Sequence, residues 1–153
     1  MKTLLVALIA AILLLTPISS QINPPVIDEA LLHLDQPYRY KKAGPASFDC
    51  SGFVCYCYKK VENIELPHSA KQQGYDESYK KIEKIQDLIS GDLVFFNTNK
   101  YDSDSCDHVG IYIGNGEFIH CSSGKGKVII SDLAGGYYNT SFSWGRRIKE
   151  EVK

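Results

Sequence analysis

The chain lacks appreciable net charge, any apolar run long enough to cross a bilayer, internal repeats and low-complexity tracts, and each absence excludes something. Over 153 residues the formal charge is −1, so no global field favours nucleic acid or an anionic membrane surface, and partners must be sought in local chemistry. The longest apolar stretch, from Leu4 to Leu15, falls short of the roughly 20 residues that a spanning helix needs. Preceded by Met1-Lys2-Thr3 and followed by Thr16-Pro17-Ile18-Ser19-Ser20, it has the three-part layout of a secretory signal over 1–20, cleaved near Ser20. No cysteine precedes Cys50, so no thiol near the cleavage site is available for a lipid. The expected product is exported and free of stable membrane anchoring, extracellular or, from a Gram-negative source, periplasmic. Without repeats or an interdomain linker, residues 21–153 are expected to form a single domain, active as a monomer.

Five cysteines are an odd number for an exported chain, so one thiol is left over. With Cys50 free, Cys55, Cys57, Cys106 and Cys121 either form two disulfides or stay reduced and buried, and the sequence leaves both open. After Pro24-Pro25, the spacing of Ile27, Leu31 and Leu34 predicts a short helix that ends before Pro37. A Gly/Pro loop through Gly44-Pro45 leads to a second helix whose face is marked by Phe53, Cys57 and Val61. Between 66 and 74 a turn and a brief helix are expected, capped by Ser69 and stopped at Gly74. Short strands follow over 93–96, 108–114, 117–121, 128–131 and 144–148. Helices first and an antiparallel sheet second predict an α+β fold.

Chemistry gathers at three residues. Cys50 begins a helix, where the dipole favours a thiolate, and the small residues after it let backbone N–H groups approach an oxyanion. Alone it is better read as a buried cysteine or half of a disulfide. His108 opens one strand and His120 nearly closes the next, so one imidazole can take the thiol proton while the other fixes its tautomer. Strand parity opposes this pairing: with a regular two-residue turn at Asn115-Gly116, the two rings face opposite sides of the sheet. An odd-length loop or one bulge between them restores a common face, and such an irregularity, or a compensating twist, is therefore predicted.

The residues resemble the NlpC-type cell-wall peptidases, a papain-like family. The matching stretches are Pro37-Tyr38 with Gly44, Phe48-Asp49-Cys50-Ser51-Gly52-Phe53, Leu66-Pro67-His68-Ser69, and Gly91-Asp92-Leu93-Val94-Phe95-Phe96. They continue with His108-Val109-Gly110-Ile111-Tyr112-Ile113-Gly114-Asn115-Gly116 running into Phe118-Ile119-His120, and Gly145-Arg146-Arg147-Ile148. The resemblance implies N-terminal helices packed on a small antiparallel sheet or half-barrel, and a cysteine endopeptidase acting on peptidoglycan or muropeptide stems between γ-linked D-glutamate and a diamino acid. It places Cys50 as nucleophile, His108 as base and His120 as the third polar residue, with Tyr38, Asp49 and Ser51 near the oxyanion and substrate. No metal or cofactor is implied. Asp49 also reads as a helix cap, Ser51 as a first-turn hydrogen-bonding residue and Tyr38 as core packing. Two departures matter: Lys41 and Lys42 replace a common glycine pair, and His68 replaces an arginine, a change that removes a permanent bidentate cation. Competing readings are an amidase or acyltransferase of the same fold, and a silent, disulfide-stapled wall-binding module.

Other features read more plainly. Asp102, Asp104 and Asp107 precede His108 in a loop best taken as solvated. A zinc site from Cys106, His108, His120 and Cys121 is disfavoured, because neighbouring strand residues face opposite ways. Asn139-Thr140-Ser141 fits the N-glycosylation pattern, which matters only in a eukaryotic secretory pathway.

Overall fold

The computed structural model describes residues 23–99 and 106–149. The leader, its cleavage site and two members of the acidic loop, Asp102 and Asp104, lie outside the described residues. Helix α1 spans Pro25–Leu31, its first turn opened by proline, which lacks the N–H that would be unpaired there anyway. It buries Val26, Ile27 and Ala30. Leu34, expected on its apolar face, lies beyond its end and is exposed.

Helix α2, Cys50–Glu62, starts where Asp49 accepts the Gly52 N–H and stops where Asn63 turns left-handed, at φ 53°. Helix α3, Ala70–Tyr75, is capped by Ser69, as its sequence predicts. Six strands follow: β1 Lys80–Ile82, β2 Leu93–Phe96, β3 His108–Gly114, β4 Glu117–Ser122, β5 Lys127–Asp132 and β6 Phe142–Arg147. A 3₁₀ turn at Ile85–Asp87 and helix α4, Gly136–Ser141, complete the order. Strand β1, the 3₁₀ turn and α4 were not expected. At three to six residues each, they carry too little periodicity to read.

The strands form one antiparallel sheet in the order β1-β6-β2-β3-β4-β5. Helices α1 to α3 cover one face, burying Phe53, Val54 and Cys57 against Leu93, Val109, Ile111, Ile119 and Cys121. The opposite face carries Val94, Phe96, Phe118 and Leu133, closed over by Tyr138 and Phe142. The expected α+β architecture, helices packed on an antiparallel sheet, is therefore present.

The hairpin of β3 and β4 decides the site. Ile111 pairs with Ile119 and Tyr112 with Phe118, but Gly114 pairs with Glu117, so the register shifts between Tyr112 and Gly114. Ile113 is the extra residue. Asn115 and Gly116 both have positive φ, 54° and 78°, as a tight two-residue hairpin turn requires. Of the expected irregularities it is a bulge that is present, and it brings His108 and His120 onto one face.

Candidate active site

The Asp49 carboxylate builds the start of α2. Its Oδ1 accepts the Gly52 N–H at 2.7 Å, the Ser51 hydroxyl at 3.3 Å and His68 Nε2 at 2.8 Å. Gly52 admits no side chain: a Cβ there would lie 2.2 Å from the Lys42 carbonyl oxygen and 2.8 Å from His68 Nε2. Capping, one of two readings of Asp49, is thus observed. Ser51 is buried, and its hydroxyl turns back to Asp49 rather than to the helix N–H groups. Tyr38, Asp49, Cys50, Ser51 and His68 all line one cleft of about 510 Å³.

Cys50 is half-buried, and all five cysteines are free thiols. Its sulfur receives hydrogen-bonding influence from the N–H groups of Ser51, Val109 and Cys50 itself. Val109 follows His108, so the sulfur lies against the strand that carries the proposed base. No direct hydrogen bond joins Cys50 to the His108 ring among the described residues. The amides lower the thiol pKa, as a helix start should, but burial and the Asp49 charge outweigh them and push it up to about 11. The standing thiolate expected from the sequence is therefore not favoured by this environment.

The histidines form a chain of hydrogen bonds. His108 Nε2 lies 2.7 Å from His120 Nδ1, and His120 Nε2 lies 2.9 Å from Ser131 Oγ. Burial lowers the His108 pKa to about 4, with Asp107 opposing, and burial together with His108 lowers that of His120 to about 2. Both rings are neutral at ordinary pH. Because the Ser131 hydroxyl can donate or accept, the chain admits two proton arrangements; in one of them His120 Nε2–H donates to Ser131, its Nδ1 accepts from His108 Nε2–H, and His108 Nδ1 keeps a free lone pair.

Sequence reasoning missed Ser131, Tyr138 and Gln73. Ser131 pairs with Phe118 across β4 and β5, on the face that also presents His120. Tyr138 stacks on His108 at 6.3 Å between ring centroids and meets His120 edge-on at 5.2 Å, covering the pair. Gln73, buried, ties α3 to the site through the Ser51 carbonyl at 3.3 Å and the Pro67 carbonyl at 2.7 Å. Ser131 was accessible in principle from the register of β5. Tyr138 was not, because it sits on the unexpected α4.

The extra cysteines do not join the histidines. Cys106 and Cys121 belong to the helix-side core, where burial pushes each thiol up to about 12. Among the described residues no group of three or more His, Cys, Asp or Glu side chains is placed to hold a metal. No helix among them is long and apolar enough to cross a membrane.

Comparison with known proteins shows the chain's family and fold. The model of the NlpC/P60 family matches residues 35–147. Murein DD-endopeptidase MepH of Escherichia coli is 33% identical over 123 residues, covering 80% of this chain and 44% of the relative. Gamma-DL-glutamyl hydrolase of Bacillus subtilis is 37% identical over 126 residues, covering 80% of this chain and 29% of the relative. The chain thus spans half or less of the length of these two relatives. Among solved structures, NlpC2 from Trichomonas vaginalis superposes with a TM-score of 0.72 at 29% identity, covering 83% of this chain and 49% of that one.

Proposed function

The chain belongs to the NlpC/P60 family, and from that premise we propose that it is a secreted cysteine endopeptidase that hydrolyses peptidoglycan stem peptides at the γ-D-glutamyl to diamino acid bond. The observation that carries this reading is the hydrogen-bond chain from Ser131 through His120 to His108. With Nε2–H donated to His120, His108 would present Nδ1 as a base, on the strand against which the Cys50 sulfur rests, and this supports the reading.

In this reading the resting pair is a thiol and a neutral imidazole. As the sulfur attacks the scissile carbonyl, its proton passes to His108 Nδ1 and an S–C bond forms. The Cys50 N–H and the Tyr38 hydroxyl receive the developing oxyanion. His108 then gives that proton to the departing amine as the C–N bond breaks, leaving a thioester on Cys50. Water, deprotonated by the same nitrogen, adds to the thioester; the S–C bond then breaks, the sulfur takes the proton back from His108, and the new acid leaves. His120 acts as a neutral hydrogen-bond acceptor. It lies too deep to serve as a counter-ion.

Digestion of purified muropeptides with mass readout tests the proposal. Wild type should generate a new D-glutamate terminus, and Cys50→Ala should generate none while keeping its fold. The relatives' names point to two different bonds, so a new D-alanine terminus in place of D-glutamate would refute the assigned bond. Turnover persisting in Cys50→Ala would refute the nucleophile.

A further inference from the structure

Besides Cys50 and two tyrosines, the cleft is lined by four acidic or basic side chains, and three of them make hydrogen bonds. The Asp49 carboxylate has its three donors. His68 is one of them. Asp107 accepts the Thr98 N–H at 2.8 Å and the Thr98 hydroxyl at 2.9 Å. The fourth is Lys41, exposed on the cleft wall beside Tyr38 and Tyr40. Among the described residues its ammonium makes no ion pair, and its near neighbour is the Tyr40 ring, 5.4 Å from the nitrogen to the centroid. Hydrogen bonds occupy the two carboxylates without neutralising them, and Lys41 is the one permanent cation lining the cleft, held by no carboxylate among the described residues.

The backbone under Lys41 sharpens the point. The Lys42 N–H closes a turn onto the Arg39 carbonyl at 3.2 Å. Lys41 occupies the third position of that turn at φ 59°, while Tyr40 has no positive φ. This is the arrangement of a type II turn, whose third position suits glycine and strains a lysine. Strain of this kind persists where the surroundings hold it, and it gathers at ligand-binding segments. Here it coincides with a cation that makes no ion pair among the described residues and lines the same cleft as Cys50.

A glutamyl residue linked through its γ-carbonyl keeps its α-carboxyl out of the chain. That group lies a few bonds from the carbonyl attacked by Cys50, and it is either a free carboxylate or a carboxamide. We propose that Lys41 is a specificity-determining residue that pairs with this free α-carboxylate, so that the cleft selects acidic stems over amidated ones. The inference rests on the peptidase reading above and names the substrate class of the same site.

Two matched γ-glutamyl stem peptides, one with the α-carboxylate and one with the α-carboxamide, test it. For wild type, the ratio of kcat/KM should favour the carboxylate by roughly fivefold, the size expected of one partly solvated ion pair. Lys41→Met keeps most of the side chain and loses the charge, and the ratio should fall to about one. Lys41→Arg should keep the preference, and added salt should shrink it. An equal ratio in wild type and Lys41→Met, or a wild-type preference for the carboxamide, would overturn the inference. A parallel binding measurement uses Cys50→Ala with and without Lys41→Met. If wild type cleaves neither peptide, the peptidase reading falls, and the binding arm still decides Lys41: a carboxylate preference lost with Lys41→Met supports it, and no preference refutes it.

Discussion

Acidification should destabilise this protein well before its carboxylates titrate, because a buried histidine pair must stay neutral for the fold to persist. An unfolded histidine takes up a proton near its ordinary pKa of about 6.5, whereas His108 in the folded chain does so only near about 4. Between those values the unfolded chain binds a proton that the folded chain refuses, so stability is full above the upper value and falls as pH drops towards the lower. For this one group the loss is roughly 1 kcal/mol near pH 5.5 and between about 2 and 3 kcal/mol near pH 4.5. His120, held lower still at about 2 and hydrogen-bonded to His108, adds to the loss. Urea denaturation across this range, compared between wild type and a His108→Asn/His120→Asn variant, isolates the pair from His33 and His68. Wild type should lose stability more steeply as pH falls. Tyr138→Ala should narrow the difference by letting water reach the rings that Tyr138 covers. Parallel slopes in wild type and the double variant would refute the claim that burial holds the pair neutral. The same neutrality sets activity: kcat/KM should hold down towards pH 4, wherever the enzyme stays folded, and not fall away near 6.5.

Two further predictions concern parts of the fold that hold the site. In Gly110→Ala, the new Cβ would lie 2.7 Å from Phe118 Cδ2, 2.9 Å from the Ile119 carbonyl oxygen and 3.0 Å from His120 Cβ, so β4 must move and carry His120 with it. Activity should fall by roughly 100-fold, the cost of misplacing a catalytic group by about an ångström, with circular dichroism showing the strands intact. Asp92 is buried, and its two oxygens meet Arg147 Nε at 2.9 Å and Nη2 at 2.8 Å. Asp92→Ala should cost about 3 kcal/mol in chemical denaturation, because it leaves a guanidinium without its carboxylate, and the His108 to His120 hydrogen bond should survive it by imidazole NMR.

What the sequence made legible was local chemistry and parity. Asp49 before a helical stripe predicted a capped α2, and the cap is there. The conflict between two histidines and one regular hairpin predicted an irregularity or a compensating twist, and the register shift supplies the irregularity as a bulge. Leu34 misled, because its periodic spacing says nothing of where the helix stops, and α1 ends three residues earlier. Tyr138 escaped because α4, with the sequence Gly136-Tyr137-Tyr138-Asn139-Thr140-Ser141, has no strong helix former, and only the packing of that segment over Phe96 and Phe118 brings it to the site. The charge state of the nucleophile was also illegible. Helix position and neighbouring imidazole can be read from sequence, but the desolvation that overrides them depends on how closely the finished fold encloses the sulfur.

That enclosure changes what distinguishes Cys50 from its four neighbours. Burial raises every thiol in the chain, Cys50 and Cys55 to about 11 and Cys106 and Cys121 to about 12, with Cys57 raised further. A depressed pKa therefore cannot be the source of selective reactivity. Position can. Cys57, Cys106 and Cys121 are sealed in the core. Cys55 has partial exposure and accepts from Gln73 Nε2 at 3.4 Å, but its thiol also donates to the Leu66 and Pro67 carbonyls, and it does not line the cleft. Cys50 alone combines an opening to the cleft with amide donors at its sulfur and a neutral imidazole on the adjoining strand. In the proposed mechanism its charge is needed only while a carbonyl is being attacked, when the amides receive it and His108 removes the proton. Such a thiol resists adventitious alkylation at neutral pH in the absence of substrate, yet transfers its proton readily once a peptide excludes water from the cleft.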